Sequence, residues 1–370
     1  MSAEAAATEP DRRAVERPRS DPSYLLLNNY PLTGIGDFGS ELGRTFAAAG
    51  IPLAYEETRP DGRKETAQLA RALRWPGTLL ANVGLTAWGA SGPRNFAGFA
   101  ALGARIRLGR PTIAFVHNPI EVIEVATAGY RIDSLVGRGA HFATALLRGS
   151  RLVVFSPSVE EVLRSHYRLR ADLVTPIPCP RAIPAATDEP AQPPVVVALG
   201  YLSPYKGHAA LPGIRARVRA PAHFVVVGGP HRVLMQDPAY RAAHEALLRE
   251  LRAADIDPLG RIDDPELDRL LARTAVGLMP YASTQGGSST FSRFASAGVP
   301  VVAPRLPLFE WLASIGAGVW PVDPGPDGFA DGVERLLTDR TLHRTLAERQ
   351  RSFAESHDWP AFLRSLRQLA

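Results

Sequence analysis

The sequence predicts an α/β protein built as two successive units, each a parallel sheet layered with helices. Three observations carry this prediction. At 370 residues the chain is longer than one ordinary hydrophobic core. Its apolar stretches are short and continuous rather than alternating, as strands buried on both faces of a parallel sheet read. The series occurs twice, on either side of a proline-dense, aperiodic stretch from Pro176 to Pro194.

In the first series the strand candidates are Tyr24–Leu27, Thr78–Ala81, Thr112–Val116 and Leu152–Phe155. Helical patterns between them include Ser40–Ala49 and Val159–His166, the latter with Ser158 as a candidate N-cap and Glu160 and Glu161 in its first turn. In the second series the strand candidates are Val195–Leu199, Phe224–Val227, Val276–Met279 and Val299–Val302. Helices are predicted over Tyr240–Ala253, Pro265–Arg273 and Gly328–Leu337. The chain divides into a disordered tail (1–22), a first α/β domain (23–180), a linker (181–193), a second α/β domain (194–355) and a closing helix (356–370). In open α/β sheets ligands sit beyond the carboxyl ends of the strands, so two such sheets facing each other make an interdomain cleft.

Composition narrows the function. With 45% apolar and 21% charged residues the chain is neither disordered nor collagen-like. No apolar run is long enough for a membrane span, and the first twenty residues lack a signal-peptide core. A single cysteine, Cys179, excludes an internal disulfide framework and a cysteine-built zinc cluster. The expected compartment is the cytoplasm. The net charge is +5, but bases and acids are mixed along the chain and no nucleic-acid motif occurs, so no nucleic-acid partner is expected. Lysine is used only at Lys64 and Lys206, which makes a lysine in a Gly/Pro-rich loop conspicuous. Nothing in the sequence fixes an oligomeric state.

Three segments could carry chemistry. Gly34-Ile35-Gly36-Asp37-Phe38-Gly39 lies between a strand and a helix, where glycines let backbone approach a ligand and a helix start offers free N–H groups to an anion. Gly200-Tyr201-Leu202-Ser203-Pro204-Tyr205-Lys206-Gly207-His208 follows a buried strand, and its lysine can neutralise phosphate. Gln285-Gly286-Gly287-Ser288-Ser289-Thr290 opens a helix whose Phe291, Phe294 and Ala295 share one face and whose stop is Gly298; three or four N–H groups there are expected to be free unless Ser288 or Ser289 caps them. Arg293 lies off the aromatic face and could project towards the same anion. Together these segments describe a grip on a phosphate or diphosphate. Asp263-Asp264 reads as a capping step before Pro265.

At this point the chain resembles a known family: the retaining, nucleotide-sugar-dependent glycosyltransferases of family 4, which have the GT-B fold of two Rossmann-like domains. The resemblance runs from about residue 22 to the end, through Thr33–Gly39, Phe115-Val116-His117, Val154–Val159, Gly200–His208, Val227-Gly228-Gly229, Gly260–Asp264, Gly298–Ala303, Glu310 and Trp359. It implies transfer of a sugar to a small hydroxylated acceptor. Catalytic roles are implied for Lys206, on the donor diphosphate, and His117, beside the transferred sugar. Gly34, Gly36, Tyr201, Gly286, Gly287, Ser288 and Ser289 would line the phosphates, and Gly229, Arg261 and Ile262 the nucleotide. The stretch Ala87–Asn95 is a candidate acceptor rim through Trp88 and Asn95. No cofactor is implied; magnesium is compatible with a diphosphate but not required. The final helix would cross back to the first domain, and the domains would close on the donor. Without a strongly basic amphipathic helix in the first domain, a soluble acceptor is favoured over a membrane.

Three departures stand out. Tyr201 occupies the place of the family's arginine, and Gln285 and Arg293 occupy the places of two glutamates that bind donor sugar and ribose. Arg293 cannot accept from ribose hydroxyls, so it either replaces the missing arginine at the phosphates or marks an unusual donor. Two further readings therefore stay open: a related enzyme using a sugar phosphate or a cyclitol donor, and a catalytically silent partner of an active transferase. The Ala/Arg/Pro-rich composition points to a GC-rich bacterial source, and a place in a natural-product pathway is a separate expectation.

Overall fold

A computed structural model describes residues 23–28, 34–57, 65–83, 92–117, 144–184, 193–230, 235, 237–284 and 286–370; the expected tail (1–22) lies outside them. The described chain forms two six-stranded sheets, parallel at every pairing. The first comprises β1 (Tyr24–Asn28), β2 (Leu53–Glu57), β3 (Thr78–Val83), β4 (Thr112–Val116), β5 (Arg151–Val154) and β6 (Leu173–Val174), in the order β2-β1-β3-β4-β5-β6. The second comprises β7 (Val195–Leu199), β8 (His223–Val227), β9 (Ile256–Gly260), β10 (Thr274–Leu278), β11 (Val301–Pro304) and β12 (Val319–Val322), in the order β12-β11-β10-β7-β8-β9. Strand order therefore reverses between β1 and β3 and between β7 and β10, the crevices where doubly wound sheets hold ligands.

The helices of the first unit are α1 (Gly34–Ala48), α2 (Glu65–Arg74), α3 (Gly92–Arg107) and α4 (Pro157–Tyr167). Those of the second are α5 (Leu211–Arg215), α6 (Pro238–Ala253), α7 (Asp264–Leu271), α8 (Ser289–Ser296), α9 (Pro307–Ser314), α10 (Pro326–Thr338) and α11 (Arg340–Ser356), followed by α12 (Trp359–Arg367). Two local expectations are corrected. Helix α1 begins at Gly34 rather than Ser40, so the glycine-rich segment forms its first turns instead of a loop. Helix α4 is capped by Ser156, whose Oγ accepts from Val159 N at 3.3 Å, not by Ser158; Pro157 takes the first helical position, where its missing N–H costs nothing.

Helix α12 lies against α1. Its Trp359, Phe362, Leu363 and Leu366 are buried with Phe38, Leu42, Phe46 and Phe155 of the first unit. Each such side chain contributes about 1.5–3 kcal/mol on burial, which anchors the chain's end in the opposite core. At the crossing, Cys179 N donates to His357 O at 2.8 Å, and Cys179 pairs in parallel with Asp358. Ser292 Oγ donates to Ile177 O at 2.8 Å and Ser296 Oγ to Pro180 O at 3.0 Å, so α8 rests on the connecting segment.

At the amino ends of β3 and β4, Arg105 is fully buried and donates to five oxygens: Thr112 Oγ1 (3.2 Å) and the carbonyls of Ala72 (2.9 Å), Trp75 (2.7 Å), Gly77 (2.6 Å) and Pro111 (3.0 Å). Every guanidinium hydrogen has an acceptor. Arg105→Lys leaves several of these oxygens dry and unpaired, so it should lower unfolding free energy by about 3 kcal/mol or more, measured by urea denaturation. An effect near zero would refute the structural role.

Candidate active site

The two crevices place two polar clusters at facing strand ends. In the second unit, Lys206 follows β7 on a short helical turn, and its ammonium is buried. Nζ donates to Tyr281 Oη at 2.8 Å and to Thr290 Oγ1 at 3.0 Å, and lies 5.0 Å from the Tyr281 ring centre. Tyr281 follows the carboxyl end of β10 and Thr290 sits in the first turn of α8, so the lysine bridges the β7/β10 crevice. Burial works against its charge, but the oxygens of Tyr281, Tyr205 and Tyr201 hold its proton, and its pKa lies above the ordinary lysine value. Among the described residues no carboxylate pairs with it. An ammonium has three N–H donors, and two are engaged. Ser203 Oγ and His208 Nδ1 flank the lysine in sequence, both sealed from solvent without a partner; burial and Lys206 push the His208 ring down to about 3, so it is neutral.

The glycine turn before α8 carries the inter-unit contact. Gly286 has φ +114, and a Cβ there would strike the carbonyl oxygen of His117; one on Gly287 would meet Phe155 and Ile177. Ser288 caps α8, its Oγ accepting from Phe291 N at 3.2 Å, so helix geometry leaves the N–H groups of Ser288, Ser289 and Thr290 without an intrahelical acceptor. The Thr290 hydroxyl is spent on Lys206.

Arg293 sits elsewhere in the ionic pattern. It donates from Nη2 to Asp264 Oδ1 at 3.0 Å and lies 3.9 Å from Asp268, so its charge is answered within its own unit. Asp263 caps α7 through Glu266 N, as the sequence indicates. Gly229 lies beside Arg261, where a Cβ would meet the arginine's Cβ at 3.8 Å; Ile262 packs its side chain on the core and can offer a ligand only backbone.

Opposite, in the first unit, a polar row crosses four strands, buried at His117, Asn82 and Asn28 and reaching the surface at Tyr55. His117 Nε2 lies 3.1 Å from Asn82 Oδ1, Asn82 Nδ2 donates to Asn28 Oδ1 at 2.5 Å, and Asn28 Nδ2 donates to Tyr55 Oη at 2.7 Å. His117 stacks on Phe155 at 4.7 Å and meets the Phe38 edge at 5.0 Å; burial alone pushes its ring down to about 3. Gly39 owes its identity to this row, because a Cβ there would overlap the Asn28 side chain. Gly34 and Gly36 supply first-turn backbone of α1. Asp37, in the same turn, is raised to about 6, chiefly by partial burial; Arg261 opposes the rise, Asp264 adds to it, and Arg293 and Arg44 oppose it. The start of α1 thus faces Arg261, Asp264 and Arg293 of the second unit.

Of the predicted site residues, Gly286 lies against the His117 carbonyl, and Lys206 is tied to α8 through Thr290. Gln285, Trp88 and the side chains of Asn95, Gly34 and Gly36 lie outside the described residues. Sequence reading missed Tyr281, Asn28 and Asn82. The rule that ligands gather at carboxyl strand ends could have pointed to each, since all three terminate or follow strands. Among the described residues, no three His, Cys, Asp or Glu side chains converge as a metal site.

Residues 193–339 match the family model of glycosyl transferases group 1. No curated protein matches the chain. Solved structures do. Sucrose-phosphate synthase from Thermosynechococcus elongatus aligns at 17% identity and a TM-score of 0.73, over 94% of this chain and 98% of that one. The Anabaena protein HepE in complex with UDP-glucose aligns at 14% identity and a TM-score of 0.67, over 93% and 98%. A glycosyltransferase from Rickettsia africae aligns at 12% identity and a TM-score of 0.66, over 94% and 97%. These likenesses establish the GT-B architecture. No helix among the described residues is long and apolar enough to cross a membrane.

The raised Asp37 carboxyl fixes a pH signature. Between pH 4 and 6 the folded chain holds a proton that the unfolded chain releases, so this group adds stability as pH falls through 6. Thermal melts of wild type and Asp37→Asn should converge as pH falls from 7 to 4, with the variant higher at neutral pH. A constant offset across that range would contradict the assignment.

Proposed function

We propose that this chain, which belongs through residues 193–339 to the group 1 glycosyltransferases and takes the GT-B fold along its length, transfers a sugar from a nucleoside diphosphate to a small hydroxylated acceptor with retention of configuration. The observation that carries the donor reading is Lys206. A buried ammonium held by two hydroxyl oxygens, with no carboxylate partner among the described residues, keeps one N–H donor for an anion. It sits at a β-sheet switch point, beside the amide hydrogens that open α8. That set suits the oxygens of a departing diphosphate. The UDP-glucose complex of the Anabaena protein supports a diphosphate donor in this fold.

In this reading the bond between the sugar's anomeric carbon and the donor phosphate breaks, and its electron pair passes to the phosphate oxygen. Lys206 and the α8 amides stabilise that developing charge. The acceptor oxygen bonds to the same face, and its proton goes to the departing phosphate oxygen, so no carboxylate nucleophile is needed. His117 and Gln285 would contact the transferred sugar. Gly229, Arg261 and Ile262 would line the nucleotide, and Trp88 and Asn95 the acceptor. Magnesium could accompany the diphosphate, but no step requires it.

Arg293 bears on the donor. With Asp264 and Asp268 already answering its charge, it offers little to an additional phosphate, which favours an ordinary nucleoside diphosphate over a more highly charged donor. The unspent donor of Lys206 likewise favours an active site over a silent partner.

Isothermal titration calorimetry with UDP and other nucleoside diphosphates tests the reading. Wild type should bind at least one, and Lys206→Met should weaken it by about 10- to 100-fold, the value of one charge-assisted hydrogen bond. Binding of sugar phosphates alone would select the alternative donor class, and unchanged affinity in Lys206→Met would remove the lysine from the site. Arg293→Glu should leave affinity within about threefold if its role is confined to Asp264 and Asp268; loss of binding would return it to the phosphates.

A further inference from the structure

The row Tyr55–Asn28–Asn82–His117 has a direction. Asn28 donates to Tyr55 and Asn82 donates to Asn28, so the oxygen of Asn82 is what faces His117. An amide oxygen only accepts; Nε2 must therefore carry the imidazole hydrogen, and Nδ1 carries the lone pair. The ring is neutral, since burial holds its pKa far below 7. Its walls are Phe38 from α1 and Phe155 after β5, and no charged group perturbs it. Among the described residues Nδ1 has no hydrogen-bond partner. Unlike the Nδ1 atoms of His208 and His244, it is not among the sealed, unpartnered nitrogens, and the residue keeps a small exposure of 8%. The His117 carbonyl lies against Gly286 of the opposite unit.

We infer that Asn82, backed by Asn28 and Tyr55, is a positioning residue that locks His117 in the Nε2–H tautomer and presents Nδ1 as a hydrogen-bond acceptor to a hydroxyl of the sugar being transferred. The inference rests on the donor reading above for the identity of that hydroxyl, but the tautomer itself does not. Gly39 belongs to the same device, because only a glycine leaves room for Asn28 beneath α1. The row fixes the ring without charging it. A carboxylate in place of Asn82 would hold the same hydrogen but raise the ring's pKa and, at lower pH, turn Nδ1 from acceptor into donor.

Long-range proton–nitrogen NMR on histidine-labelled full-length protein reads the tautomer directly, with His117 assigned from the spectrum of His117→Gln. Wild type should show the Nε2–H form with no titration between pH 5 and 8. The reversed row, running Tyr55 to Asn28 to Asn82 to His117, would protonate Nδ1 instead, and that spectrum overturns the inference. In Asn82→Asp, the closest isostere, the His117 pKa should move up. Affinity for UDP-glucose should then fall about tenfold below that new pKa, while affinity for UDP stays constant with pH. An equal loss for both ligands at all pH values would mean a merely structural asparagine. If wild type binds neither ligand, the donor reading fails while the tautomer result stands.

Discussion

The arrangement of the second lobe depends on a cation kept away from water. Lys206 reaches its place because β7 and β10 are paired neighbours at the point where strand order reverses, and the loops after their carboxyl ends flank a crevice. Tyr281 and Thr290, arriving from the far side of that crevice, supply two oxygens and no charge. The result is a lysine held in one orientation with one of its three donors unspent. Gly200 and Gly207 fall into line with it: a side chain on the first would overlap the lysine's own, and one on the second would overlap the Pro280 carbonyl.

The first lobe uses neutral groups where the second uses a charge. Amide side chains at consecutive strand ends form a row of dipoles, each orienting the next, and the row ends on an imidazole against aromatic walls. The two lobes meet where Gly286 lies under the carbonyl of His117. In the proposed function the labour divides: one wall would align hydroxyls, and the other would absorb charge released from a leaving group.

Much of this was legible from the residues. Strands central to both sheets are continuous Val/Leu/Ile/Phe runs because helices cover both their faces, and β1, β3, β4, β7 and β8 were found that way. The four strands not anticipated, β2, β6, β9 and β12, are the four sheet edges. Edge strands face solvent on one side, which admits Tyr55, Glu56, Asp257, Pro258 and Pro321 and breaks the apolar signature. The site divides the same way. A lone lysine in a glycine- and proline-rich loop is conspicuous in a chain that otherwise uses arginine. Asn28 and Asn82 are ordinary strand terminators until topology sets strands β1 and β3 side by side, 54 residues apart in sequence. Arg293 reads as an anion ligand until Asp264, 29 residues earlier, is found in contact with it.

The chain passes between the lobes twice, near residue 179 and near residue 358, and those passages are bonded to each other. A single tether would let the lobes swivel freely, whereas a paired one behaves like a strap hinge: flexing across its width is soft, and sliding or twisting along it is stiff. Any opening of the molecule is thereby channelled into one angular coordinate. Since α12 beyond the second passage is rooted among aromatic rings of the first lobe, removing the last dozen residues would unseat the hinge pin as well as a helix.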